Sequence, residues 1–138
     1  MFRPAINTDF DFLRGLSERP PEDILEAQIR DGRLRIIESH GSPIGFLKFC
    51  VLWETLPFIE LLFVIESQRG CGNGRKAVRA WESEMARLGF DLVLTSTQAD
   101  ESAQHFWRKL GYLDCGALAV RNKPSEIFMQ RKIENGDA

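Results

Sequence analysis

Cysteine is scarce in this chain: Cys50, Cys71 and Cys115 are odd in number and widely spaced. Without paired CxxC spacing they suggest neither a disulfide framework nor a zinc site. Histidine is scarcer still, with His40 and His105 far apart, so no ligand cluster forms and no metal is expected. Tyrosine occurs once, at Tyr112. Charge of one sign is also missing, since the formal net charge is −2, which argues against nucleic-acid binding through bulk charge. No apolar run approaches the roughly 20 residues that a membrane helix needs. The start, Met1-Phe2-Arg3-Pro4, lacks a signal-peptide core. The expectation is a cytoplasmic protein with neither nucleic acid nor membrane as partner. Internal repeats and low-complexity linkers are absent too.

What is present is enough apolar material for a core. The 138 residues are 43% hydrophobic, which suits one globular domain spanning residues 1–138. The pattern along it mixes α and β. Phe2 to Ile6 reads as a short strand. Thr8 is a candidate N-cap for a helix carrying Phe10, Leu13 and Leu16. Pro20-Pro21 breaks the chain before a second helix, where Ile24, Leu25 and Ile29 share one side and Gly32 is the stop. Leu34 to Ser39 and Ile44 to Trp53 read as two strands of an antiparallel hairpin, and Phe58 to Ile65 as a third strand. Ala77, Val78, Trp81, Met85 and Leu88 then form the stripe of a longer helix. A buried strand at Leu92 to Thr95 makes a strand-helix-strand unit with parallel pairing. Asp100 or Ser102 caps a last helix with Ala103, Phe106, Trp107 and Leu110 inside. Leu113 to Val120 and Glu126 to Ile133 are two final antiparallel strands, and Glu134 to Ala138 a frayed tail.

The densest stretch joins the third strand to the longer helix: Arg69-Gly70-Cys71-Gly72-Asn73-Gly74-Arg75. Glycines let the backbone approach a ligand closely, and the first turn of a helix offers unpaired N–H groups that suit phosphate. Arg69, Arg75, Lys76 and Arg79 add cations. The stretch reads as a pyrophosphate cradle, with a plain connecting turn as the alternative. A Walker loop and a dinucleotide fingerprint both require glycine at position 75, which is arginine. Arg-x-x-Gly-x-Gly, at Arg69, Gly72 and Gly74, fits directly.

With Val64 five residues upstream, that spacing resembles the acyl-CoA signature of the GNAT superfamily of N-acyltransferases. A second segment strengthens the resemblance. Ala103, Phe106, Lys109 and Gly111 match the family's Asn-x-x-Ala-x-x-Phe-Tyr-x-Lys-x-Gly-Phe in order and spacing, and Tyr112 replaces its last Phe. The resemblance implies a mixed, mostly antiparallel α/β (α+β) sheet of six to seven strands flanked by about four helices. It also implies acetyl-CoA as co-substrate, no metal, a primary amine of a small-molecule or peptide acceptor, and compatibility with a homodimer. Carried onto this chain, it implies cofactor contacts from Phe63, Val64 and Ile65, whose backbone N–H groups would be freed at a bulge. Arg69, Gly70, Cys71, Gly72, Asn73, Gly74 and Arg75 would form the cradle, with Ser102, Phe106, Trp107 and Lys109 contributing from the second segment. The acceptor groove would draw on Phe10, Phe12, Arg14, Trp53, Phe58 and acids such as Glu18, Glu22 and Asp23.

Catalysis is less fully specified. Glu60 is the candidate general base, a carboxylate inside an apolar strand where desolvation would raise its pKa. Its alternative is pairing with an arginine or a place at a wet sheet edge. Trp107 stands where many members carry a tyrosine proposed to protonate the departing thiolate, and an indole N–H is a hydrogen-bond donor only. His105 lies about 200° around the helix from that slot. Three readings stay open: water or substrate supplies the proton, the step needs no protein acid, or catalysis is poor. The rival function is a non-catalytic acyl-CoA-binding or regulatory protein. Cys71 faces phosphates rather than an acyl group, and Cys50 and Cys115 read as small core residues.

Overall fold

The computed structural model describes residues 1–134. Among them are seven strands and four α-helices. In chain order these are β1 (Phe2–Pro4), α1 (Phe10–Leu16), α2 (Glu22–Arg30), β2 (Leu34–Ser39), β3 (Ser42–Leu52), β4 (Leu56–Val64), α3 (Asn73–Arg87), β5 (Leu92–Gln98), α4 (Ala103–Lys109), β6 (Leu113–Leu118) and β7 (Glu126–Lys132). Short 3-10 turns sit at Asn7–Asp9 and Glu66–Gln68. The strands form one mixed sheet in the order β1-β2-β3-β4-β5-β7-β6. β4 and β5 are parallel, joined through α3, whereas β1–β2, β2–β3, β5–β7 and β6–β7 are antiparallel. This is the expected architecture. Among the described residues no helix is long and apolar enough to cross a membrane.

Two compact units divide the chain: Met1–Phe49 with Leu61–Ala77, and Cys50–Glu60 with the residues from Val78 on. In the first, alternation along β2 sends neighbouring residues to opposite sides. Leu34 and Ile36 pack with Leu13 of α1 and Leu25 and Ile29 of α2, while Ile37 packs with Ile44, Val64 and Ala77. Arg3 clamps this unit. It makes two bonds to buried Asp9, at 2.8 and 2.9 Å, and a 3.2 Å ion pair to Glu38 of β2. In the second unit, Trp81 and Met85 of α3 are fully buried with Val93, Tyr112 and Met129.

Several expectations differ in detail. Thr8 lies inside the 3-10 turn rather than capping α1; Asp9 stands at the N-cap position of α1 but makes no side-chain cap bond there, its carboxylate accepting the Ile6 N–H at 2.8 Å instead. Ile24 and Leu88 are exposed rather than inside; Leu88 lies just past the end of α3. Cys115 is exposed, because it sits in the bulge between Asp114 and Gly116 on β6, whose strand position ends the sheet. Glu134 is exposed, and the rest of the expected tail lies outside the described residues.

Candidate active site

β4 leads into the glycine turn, and its end is tightly fixed. A Cβ on Gly45 of β3 would collide with the Phe63 carbonyl oxygen and stand 3.0 Å from the Val64 Cα, so only glycine lets the two backbones approach this closely. Just beyond β4, the Ile65 N–H donates to the Ile44 carbonyl at 2.8 Å. The expectation of three freed amides is therefore corrected: Ile65 is bonded to its neighbour. Strand amides alternate in direction, so Phe63 shares Ile65's side and Val64 faces the other way. The Val64 carbonyl, on that same side, accepts the Arg69 Nε at 2.7 Å.

Arg69 is thus partly a structural residue. Its guanidinium also lies over the Phe63 ring, 5.3 Å from the centroid, which anchors the turn to the strand end. Gly70 and Gly72 have φ of +76° and +85°, the left-handed region, and neither has any atom within 4 Å of where a Cβ would stand. The turn therefore bares its backbone to open space. Asn73, which opens α3, ties back through its Nδ2 to the Gln68 carbonyl at 3.0 Å. Gly74, Arg75 and Lys76 form the first turn of α3, and both cations are exposed with no partner among the described residues. Cys71 is exposed, its thiol directed at the Arg69 carbonyl at 3.5 Å. Arg79 is not part of this cluster, because its guanidinium is spent on Glu82 and the Leu110 carbonyl, each at 2.8 Å.

The second segment belongs to the other unit. Trp107 is buried, with its ring edge-on to Tyr112 at 5.1 Å and to Phe106 at 5.0 Å. Ser102 and Lys109 are exposed, and Phe106 is half-buried. The Tyr112 hydroxyl donates to Glu82 Oε2 at 2.6 Å. Burial, reinforced by the Glu82 charge, holds this phenol well above its ordinary range. Neither aromatic is an available acid. Glu60 is exposed on β4 and pairs with no described cation, which removes both the expected desolvation and the arginine-pairing alternative. Of the expected groove residues, Phe10 and Phe12 pack on the core cluster of α1 and α2, Arg14 lies over Phe10 and bonds the Ser17 carbonyl, and Trp53 is almost fully exposed.

The sequence matches the acetyltransferase (GNAT) family over residues 4–112. The chain belongs to this family. Solved structures agree on the fold. Ard1 from Thermoplasma volcanium superposes with a TM-score of 0.81 at 20% identity, covering 96% of this chain and 97% of that one. A ribosomal-protein-alanine N-acetyltransferase from Brucella melitensis gives 0.78 at 18%, covering 96% and 99%. The protein yncA from Salmonella typhimurium, whose structure contains its cofactor acetyl-CoA, gives 0.80 at 15%, covering 97% and 94%. Comparison with curated protein sequences gives no significant match. In this GNAT chain the glycine turn runs into the exposed Arg75 and Lys76, and Trp107 is buried against Tyr112.

Proposed function

We propose that this GNAT chain is a single acetyltransferase domain that moves an acetyl group from acetyl-CoA to a primary amine by direct attack in a ternary complex. The observation that carries the reading is the bare Gly70–Gly72 turn opening onto the first turn of α3. Left-handed glycines with open space above them fit a pyrophosphate, and Arg75 and Lys76, without partners among the described residues, supply positive charge beside it. Acetyl-CoA brings the acyl group as a thioester. The Val64 N–H, directed away from β3, is the donor placed to polarise a thioester oxygen, a role worth ~3 kcal/mol for one such donor. Glu60, exposed and without a cation partner among the described residues, is kept in this reading as the carboxylate that relays the ammonium's proton to solvent so that the amine can attack.

Loss of the thiolate proceeds without a protein acid in this reading. The Trp107 indole N–H donates hydrogen bonds but is no acid, and Tyr112 is held neutral in its bond to Glu82. A CoA thiol is acidic enough that such help is dispensable, since general acids contribute typically ~10²–10⁴-fold. The rival reading, a non-catalytic acyl-CoA-binding protein, draws its support from the buried Trp107. Thiol release from acetyl-CoA against a panel of amines separates them. Release that depends on the amine is expected; acetyl-CoA binding with no release on any amine or peptide would favour the rival.

A further inference from the structure

The first unit contains a cavity of about 640 Å³, within the ordinary range for a small-molecule site. Leu13 and Leu16 of α1, Leu25 of α2, Leu34 of β2, Phe46 of β3 and Leu61 of β4 give it an apolar wall. Leu61 stands three residues before Val64 on the strand that leads into the glycine turn. The space opens at the surface, so its apolar wall is available to a ligand. Two polar side chains in its lining lack the partners their positions call for.

One is Lys48. Register pairs it with Leu34, and Ile36 with Phe46, so Lys48 stands on the sheet side that α1 and α2 cover. It is half-buried there, lines the cavity, and has no carboxylate or carbonyl partner among the described residues. A lysine turned toward an apolar layer is ordinarily paired. The other is Gln28 of α2, which lines the same cavity and whose Oε1 is buried with no hydrogen bond. A buried acceptor of that kind calls for a donor. The remaining charges, Glu18 and Arg19, are exposed in the loop between α1 and α2 and offset each other. Lys48 is the unbalanced one.

We infer that this cavity is the acceptor pocket and that it selects a short apolar peptide amine with a free carboxylate. Lys48 receives the carboxylate, Gln28 Oε1 accepts a peptide N–H, and the leucine and phenylalanine wall takes the apolar side chains. The volume suits a dipeptide. The inference rests on the acetyltransferase reading for the word acceptor, but the recognition chemistry stands apart from turnover.

Calorimetric titration of the full chain with leucyl-leucine and with leucyl-leucinamide tests it, since the two differ only in the terminal charge. The amide is expected to bind about tenfold more weakly. In Lys48→Met, which keeps the apolar stem, both peptides are expected to bind at the amide's level. Equal affinities in the unaltered protein, or no binding of either peptide, would overturn the inference without any variant. Acetyl-CoA titrated separately keeps the two claims distinct. Peptide discrimination without acetyl-CoA binding would remove the acetyltransferase reading alone. Acetyl-CoA turnover indifferent to the carboxylate would remove the pocket assignment alone.

Discussion

The Tyr112 hydroxyl donates a hydrogen bond to Glu82 Oε2 across 2.6 Å, and both side chains are buried. Arg79 and Arg131 reach Glu82 Oε1 from 2.8 and 3.2 Å, so one buried carboxylate ties α3 to the turn after α4 and to β7. A buried carboxylate survives only with such a set of donors.

Tyr112→Phe removes one donor and leaves Oε2 short. The expected loss is about 1–3 kcal/mol of stability, read by urea unfolding, with turnover per folded molecule unchanged. A sharp loss of turnover would make Tyr112 the thiolate's acid after all. The sign with pH follows from the raised phenol. Its stabilisation is full below about 10, the ordinary tyrosine value, and declines as pH rises toward the folded-state value.

The Arg3–Asp9 pair sets the acid side. Hydrogen bonding to Arg3 holds the Asp9 carboxyl below its ordinary value of 3.8, against the opposing effect of burial. A lowered carboxylate stabilises above the unfolded value and loses that contribution as pH falls through the folded one. Thermal melts are expected to drop below about pH 4. Asp9→Asn should be less stable at pH 7 and flatter between pH 5 and 3; a parallel acid limb in the variant would contradict this.

Gly45→Ala puts a methyl into the Phe63 carbonyl. Because backbone rather than a flexible side chain is struck, the strands must part. The expected cost is about 1–3 kcal/mol, with weaker acetyl-CoA binding because the Val64 amide moves with β4. An alanine variant of unchanged stability and affinity would show that the close approach is not needed.

Much of this was legible in the sequence, for identifiable reasons. The Arg69-to-Gly74 spacing encodes a strand, a turn and a helix start in contiguous residues, so local pattern suffices. Tyr112 could be placed in the core because it follows Gly111 at the end of α4. What escaped were facts that depend on register or on which neighbour arrives. Nothing local says that Ile44 occupies the Ile65 amide, or that Arg79 turns to Glu82 instead of the cradle. Lys48 reads as an ordinary strand lysine until its pairing with Leu34 shows which side it faces. Thr8 falls inside a 3-10 turn, and the Asp9 carboxylate that follows is engaged by Arg3, six residues away, and by the Ile6 N–H.

Glu60→Gln tests the proposed base. Turnover near pH 7 is expected to fall by ~10²-fold or more, with acetyl-CoA affinity kept. The acid limb of the pH–rate profile should then follow the ionisation of the amine acceptor alone. A profile identical to the unaltered protein's would retire Glu60.

The most direct test is a calorimetric titration of acetyl-CoA into the unaltered protein and into Gly72→Val. The substitution has room for its side chain but sits at φ +85°, a strain of roughly 1–2 kcal/mol that the fold should survive, checked by its circular dichroism melt. The expected result is binding by the unaltered protein and loss of most of that affinity in the folded variant. No binding by the unaltered protein, or equal binding by both, would contradict the assignment of the turn as the acetyl-CoA cradle.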